Sequence, residues 1–310
     1  MRLVRGFAPG TVANLGPGLD ILGLALAGVG DTVTAERGET REIRIRSSGH
    51  PEISTDPRRN TAGIAAARVR ERAGAGSIGL TLTIEKGLPL SGGQGGSAAS
   101  AAAAAVAVNE LLGSPLSRAD LLEPCLEAEE AVAGRHADNL AAALLGGVVL
   151  IESIEPLAVI ALSFPEDLLV VLAMPSQQLR TADARALLPA SVDRAVAVGQ
   201  AARVGALVAA LARRDWALLR RAVDDRIAEP VRAPLLTGFA EAKAAALDAG
   251  ALGCSISGSG PSAFAFAAES ESAVRIADAM VAAYRSRGVE ARARISKIDA
   301  LGARVVSAEA

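Results

Sequence analysis

The spacing of hydrophobic positions changes several times along the chain. Over residues 77–85, Ile78, Leu80, Leu82 and Ile84 alternate with small polar residues, the period of two that marks a strand with one face in a core. Ile43 and Ile45 alternate with charge over 42–46 in the same way, and residues 3–7 read as a further short strand. Over 61–73 apolar positions recur three and four apart, predicting a helix opened at Asn60 and closed at Gly74 and Gly76. A glycine-rich loop at 87–96 leads into an alanine-dense helix over 97–112, closed by Gly113. A second helix over 116–133 has Ser117 as its N-cap.

Glycine-bounded strands follow at 148–151 and 168–173. Residues 180–250 are mostly helical, including the arginine-studded stretch 206–227, and a strand at 262–268, a helix at 272–287 and a strand at 291–295 close the pattern. Residues 8–26 are rich in Gly and Pro and read as irregular. The order describes an α+β chain with a boundary near 152–166 and no internal repeat.

Composition narrows the function. The 310 residues suffice for two domains with buried cores. Mean hydropathy is +0.33, yet the longest apolar runs, 101–108 and 140–151, the second broken by Gly146 and Gly147, fall short of the roughly 20 residues of a membrane span, so no membrane partner is expected. A net charge of −2 and 2% aromatic residues leave neither a polyanion footprint nor base-stacking platforms, so nucleic acid is not expected either. The alanine excess and the shortage of lysine, limited to Lys86, Lys243 and Lys297, read as codon bias.

His50 and His136 are the only histidines, which excludes a His-rich metal site, and no G-x-S-x-G elbow supports a serine hydrolase. Any metal falls to oxygen ligands. Cys125 and Cys254 form no disulfide framework and no secretory leader opens the chain, so the expected address is the cytoplasm.

The chemistry concentrates in Pro89-Leu90-Ser91-Gly92-Gly93-Gln94-Gly95-Gly96-Ser97-Ala98-Ala99-Ser100, between a strand and a helix. Clustered glycines let successive N–H groups turn inward, and the helix start adds about half a positive charge, so together they cradle a phosphate. Ser97, in the first turn, can offer its hydroxyl to Mg²⁺. A flexible turn before an alanine helix is the plainer reading of the same residues. A Rossmann loop fits poorly, and no Walker A motif occurs.

Further constellations give that loop company. In residues 8–20, Asn14 and Asp20 are isolated polar groups among glycines and alkyl side chains, and such residues need backbone or ligand partners. Glu129-Glu130 precedes Gly134-Arg135-His136-Ala137-Asp138-Asn139, which could supply a metal ligand and groups around a hydroxyl, or a solvated helix end with Asp138 or Asn139 as cap. The small-residue turn 254–262 leads into a strand and either closes over a substrate or is a plain loop.

With these segments in this order, the chain resembles the GHMP kinase family of ATP-dependent small-molecule kinases over nearly its whole length. The resemblance implies a two-domain fold, with an N-terminal nucleotide-binding domain of the ribosomal protein S5 domain 2 type over 1–155 and a ferredoxin-like domain over 156–310. The active site is expected in the cleft between them. It further implies phosphoryl transfer from ATP to a terminal hydroxyl, with L-homoserine as the substrate suited by the segments at 134–139, 181–189 and 229–232; a family kinase acting on another alcohol and a nucleotide-binding relative without turnover are the alternatives.

Arg185 and Arg232 would bind the carboxylate of that zwitterion and Asp20 its ammonium, with Asn14, His136 and Asp138 near the hydroxyl and Gly258 as a further substrate-binding position. Asp138 and Asn14 stand as the catalytic pair. Asn60 would lie near adenine or ribose, and Pro89, Ser91, the stretch from Gly92 to Ser97, and Ser100 would surround the phosphates. Ser97 and Glu129, with Glu130 as neighbouring candidate, would hold Mg²⁺. A homodimer is compatible with this reading. The chain departs from the family in the loop, where Gly96-Ser97 replaces a paired serine and Gln94 a bulky apolar residue.

Overall fold

The computed structural model describes residues 1–309 apart from residue 133, with Thr181 described by its backbone alone. The chain opens with strands β1 (Leu3–Ala13), β2 (Leu22–Gly38) and β3 (Ile43–Ser47), then helix α1 (Thr61–Arg72), strand β4 (Gly79–Glu85) and helices α2 (Gly96–Leu111), α3 (Leu122–Glu130) and α4 (Asp138–Leu145). Strands β5 (Val148–Ile154), β6 (Leu157–Leu162) and β7 (Leu169–Pro175) follow. Next come helices α5 (Thr181–Ala186), α6 (Arg194–Arg213), α7 (Trp216–Ala222), α8 (Glu229–Arg232) and α9 (Phe239–Asp248). Strands β8 (Cys254–Ile256) and β9 (Ala263–Ala267), helix α10 (Ser270–Ser286) and strands β10 (Ala291–Lys297) and β11 (Arg304–Glu309) complete it.

Two sheets organise these elements. The first runs β11-β1-β2-β4-β3, with the β5–β6 hairpin joined to the early part of β2, and the second runs β10-β7-β9-β8 in antiparallel order. The units expected at 1–155 and 156–310 are each centred on one sheet, but β6 and β11 from the second stretch are built into the first. β6 returns as the hairpin mate of β5, and β11 pairs with β1 from Leu3↔Glu309 to Phe7↔Arg304.

Residues 8–26 are more regular than their glycines and prolines suggest. β1 continues to Ala13 because a register shift between Pro9 and Gly10 accommodates the proline, which has no N–H to give the ladder. The strand Leu22–Gly38 is hidden in the sequence because Gly23, Gly28 and Gly30 interrupt its pattern. Gly28 (φ +79°) lies where β2 leaves β5 to pair with β4.

Helix α3 starts at Leu122 rather than 116. A helix begun at Ser117 would put Pro124 in its interior, where the ring clashes with the preceding turn; starting at Leu122 puts it in the first turn, where no N–H is needed. Ser117 instead forms a turn with Asp120. The expected last residue of that helix, 133, lies outside the described residues. The arginine-studded stretch divides at Arg214 (φ +55°), after which Asp215 caps α7 by accepting from Leu218 N.

Alanine in α2 serves packing and is not composition alone. Residues 98–105 and 107 are completely or almost completely buried, and all but Ser100 are alanine, so the helix is buried nearly all round and sits inside its layer. It approaches β1 so closely that a Cβ at Gly6 would come within 2.4 Å of the Ala103 carbonyl oxygen. The start of α2, and with it the glycine loop, is thereby fixed against the first sheet.

The second sheet is buried on both faces, which explains its unbroken apolar strands. Val170, Leu172, Phe264 and Phe266 join the main core with Leu207 and Leu211 of α6, while Val171, Ala173, Ala263 and Ala265 pack under α9 and α10. By length and composition α6 equals a membrane span, with mean hydropathy 1.7 over its most apolar window. The run-length criterion missed it because Arg203 interrupts the apolar stretch; here Arg203 is bonded to Asp224.

Candidate active site

Segments remote in sequence meet in a cleft of about 480 Å³ between the two sheets. Its walls include the glycine loop, the start of α4, helices α5 and α8, Asn14 and the turn after β8.

The loop is held by its carbonyl groups. Gly92 O accepts from Ser262 Oγ (2.6 Å), Gly93 O from Ser257 Oγ (2.6 Å), Gln94 O from Thr11 N (3.1 Å), Gly96 O from Lys86 Nζ (2.9 Å) and Ser97 O from Thr61 Oγ1 (3.1 Å). A trans peptide points its N–H opposite its C=O, so fastening the carbonyls outward turns the following N–H groups toward the cleft. Ser91, Gly93 and Gly95 supply the positive φ angles this requires. Gly95 admits no side chain, since a Cβ would lie 2.0 Å from Thr11 Oγ1. Beyond it the 16-residue α2 presents its N-terminus with no side-chain cap, a ready anion site. At Gly96 a Cβ would meet nothing nearer than Lys86 Nζ at 3.4 Å, so crowding does not impose the missing serine.

Beneath the loop lies a buried ion pair. Lys86 Nζ donates to Asp31 Oδ2 and to Ser100 Oγ (3.0 Å), and Ser100 Oγ donates to Asp31 Oδ2 (2.7 Å). Asp31 Oδ1 also accepts from Gly87 N (3.1 Å) and Leu88 N (3.2 Å). Ser100 thus belongs to the support under the loop.

Ser97 Oγ donates to Glu129 Oε2 (3.0 Å), while the buried Glu129 Oε1 has no partner among the described residues. Burial, with the Asp138 charge adding to it, pushes this carboxyl up to about 7. Glu130 is exposed and bonded to Arg135 Nη1 (2.9 Å), so of the two neighbours only Glu129 faces Ser97. A hydroxyl and a carboxylate with a free oxygen form an oxygen-only donor set suited to Mg²⁺, which keeps most of its waters.

At the other end Asp20 (φ +63°) meets Arg185 in a two-pronged pair, Nη2–Oδ1 at 2.8 Å and Nη1–Oδ2 at 3.1 Å. Burial alone would raise the Asp20 carboxyl, but the Arg185 guanidinium, with Arg232 adding charge, holds it below the ordinary carboxylate value. His136 Nδ1 is 3.9 Å from Asp20 Oδ1, and burial followed by the Arg185 charge keeps its imidazole below its usual value and neutral at pH 7. Arg232, almost fully buried, donates to Gly258 O (3.1 Å) and Ala184 O (3.3 Å). Asp138, buried at the first turn of α4, is pushed up to about 7, chiefly by burial and then by the Asp20 charge.

Two expected ligand groups are already engaged. Asn14 donates from Nδ2 to Gly258 O (3.1 Å) and accepts at Oδ1 from Asp20 N (3.1 Å), tying the turn 14–20 to the turn after β8. Asn60 lines the cleft but caps α1 through Ala62 N and Gly63 N and donates to Ser54 O. Its side chain is the helix start the sequence marks, and both ends of its amide are used.

Sequence reasoning missed Lys86, Asp31 and the Thr11 Oγ1–Asn139 Oδ1 bond (2.6 Å) at the loop's back. The scarcity of lysine was the available signal for Lys86, which directly follows β4.

Gln94 is 2% exposed and both of its amide atoms lack partners among the described residues. An unpaired buried amide costs about 1–3 kcal/mol. Gln94→Leu is therefore expected to raise the Tm of the ligand-free protein, by about 1 kcal/mol in stability, as read by thermal unfolding.

The family model for the GHMP kinases N terminal domain matches residues 60–147, and that for GHMP kinases C terminal matches residues 207–286. The chain is 46% identical to a homoserine kinase of Arabidopsis thaliana, covering 98% of this chain and 85% of that protein. It is 43% identical to a homoserine kinase of Chlorobium phaeovibrioides, over 99% of this chain and all of the other. A crystal structure of homoserine kinase from Cytophaga hutchinsonii superposes with a TM-score of 0.95 at 39% identity, covering 99% of this chain and 98% of that one.

Proposed function

The chain belongs to the GHMP kinases, and from that membership and the cleft's geometry we propose that it transfers the γ-phosphoryl group of ATP to the terminal hydroxyl of L-homoserine, giving O-phospho-L-homoserine for threonine biosynthesis. The observation that carries this reading is the anion-binding loop facing, across one cleft, a cluster of one carboxylate and two guanidinium groups.

A zwitterion suits that cluster. Asp20 and Arg185 neutralise each other in the ligand-free cleft; the incoming ammonium and carboxylate give each a new partner, with Arg232 reinforcing the carboxylate site. The exchange leaves charge balanced. The hydroxyl is then directed toward Asp138 and the neutral His136.

Phosphoryl transfer has a loose transition state, so the protein works by alignment and charge stabilisation. The inward N–H groups of the loop and the start of α2 hold the phosphates. Ser97 and Glu129 would hold Mg²⁺, which supplies further charge neutralisation there. Asp138 accepts the proton of the attacking hydroxyl as the new O–P bond forms and the bond to the ADP oxygen breaks. Two buried, unpaired cysteines fit the cytoplasmic address expected of an ATP consumer.

The test is ADP release with homoserine and a panel of other alcohols. Turnover of another alcohol without homoserine overturns the substrate assignment. Because the Asp138 carboxyl sits near 7 and must be ionised to take a proton, kcat/KM is expected to rise with pH through about 7 and level above it. Asp138→Asn should lose roughly 10²–10⁴-fold in kcat together with that acid limb.

A further inference from the structure

The ammonium and carboxylate sites belong to different parts of the fold, and two buried amides join them: Asn14, through the Gly258 carbonyl that Arg232 also uses, and Gln200 on the far side of the turn 14–20. Gln200, on α6 and 6% exposed, donates from Nε2 to Pro17 O (2.8 Å) in the turn that carries Asp20. The same Nε2 donates to Asp225 Oδ1 (3.0 Å), and Gln200 Oε1 accepts from Arg226 N (3.0 Å). This one side chain thereby joins the backbone at Pro17 to the backbone at Arg226 and to the Asp225 carboxylate.

Asp225 in turn organises the segment that carries Arg232. Its Oδ1 accepts from Ile227 N (2.8 Å) and Ala228 N (3.0 Å), and its Oδ2 from Glu229 N (2.9 Å). Glu229 then fixes α8 by accepting from Lys243 Nζ and from Ser255 Oγ (2.6 Å). One turn later Arg232 donates to Ala184 O beside Arg185. The turn 14–20 and residues 223–224 also pack in direct contact, since a Cβ at Gly16 would lie 3.2 Å from Val223 Cγ1.

We infer that Gln200, with Asp225, is a positioning residue for substrate selection: alongside the Asn14–Gly258 link it fixes the separation between Asp20 and Arg232, so that a substrate bearing both an ammonium and a carboxylate is bound by both at once. The inference rests on the homoserine reading above. A molecule with one charge gains nothing from a fixed separation, whereas a zwitterion gains the second contact without paying again for ordering.

The experiment compares wild type with Gln200→Met, which keeps side-chain volume and removes all three hydrogen bonds; Gln200→Ala is the second variant, and thermal unfolding verifies that each folds. For each protein the KM of homoserine is measured with the competitive inhibition constants of 4-hydroxybutanoate and 3-aminopropan-1-ol, which each carry one of the two charges. In the variants the homoserine KM is expected to rise about tenfold or more, with both inhibition constants and the KM for ATP moving less than about threefold.

Equal weakening toward all three compounds, or an unchanged homoserine KM, overturns the inference and leaves the kinase reading intact. Absence of homoserine turnover in the wild type overturns both.

Discussion

Arg185→Ala is expected to raise the KM for homoserine by roughly 30- to 1000-fold, the equivalent of about 2–4 kcal/mol for removing one side of a charge-assisted pair. The KM for ATP should stay within about twofold, because Arg185 binds Asp20 at the end of the cleft away from the Ser97–Glu129 contact. The loss would have two sources: under the proposed binding mode the substrate carboxylate loses a two-pronged partner, and Asp20 loses the guanidinium that holds its carboxyl low. Arg185→Lys should recover only part of the affinity, since an ammonium keeps the charge but cannot bond both carboxylate oxygens in a plane. Initial-rate kinetics with each substrate varied in turn provide the check. A rise in the ATP KM equal to that for homoserine would show that Arg185 acts on the whole cleft and not on one substrate.

The second large effect lies under the loop. Lys86→Met leaves Asp31, which is fully buried, without its cation, and breaking a buried pair in this way costs about 3–5 kcal/mol. For a chain of this size the Tm should fall by on the order of 10 °C. Replacing both partners, Asp31→Leu with Lys86→Met, should be less harmful than the single change because no charge is then stranded. Recovery stays incomplete, because Gly87 N, Leu88 N and Ser100 Oγ lose their acceptor. Calorimetric titration should also show weaker ATP binding in Lys86→Met, since the Gly96 carbonyl at the start of α2 loses the donor that fastens it.

Much of this site was legible in local sequence, and the remainder was written at long range. Clustered glycines marked the tight loop before α2 because their contribution is a local conformational one. What holds the loop open could not be read there: Ser257 and Ser262 reach Gly93 and Gly92 from the second sheet, and Lys86 meets Asp31 across two strands.

Glu129 and Glu130 were indistinguishable by type, and only the helix turn that sends one toward Ser97 and the other toward Arg135 separates them. Asn60 marks the start of α1 in the sequence, and its amide caps that helix while the residue also lines the cleft. In the fold, period and length identified strands such as Gly79–Glu85, whereas the 17-residue β2 escaped because its glycines hide the alternation that its backbone pairing maintains.

The return of β11 to the flank of β1 bears on how the protein forms during synthesis. A ribosome delivers β1 first, and the strand that covers its outer edge only after the whole second sheet has emerged. Through most of elongation β1 therefore carries an open row of hydrogen-bonding groups, a template for pairing with a neighbouring nascent chain. Truncation before residue 304 would leave that edge exposed permanently. Such fragments should be more prone to aggregate than their loss of buried surface alone would indicate.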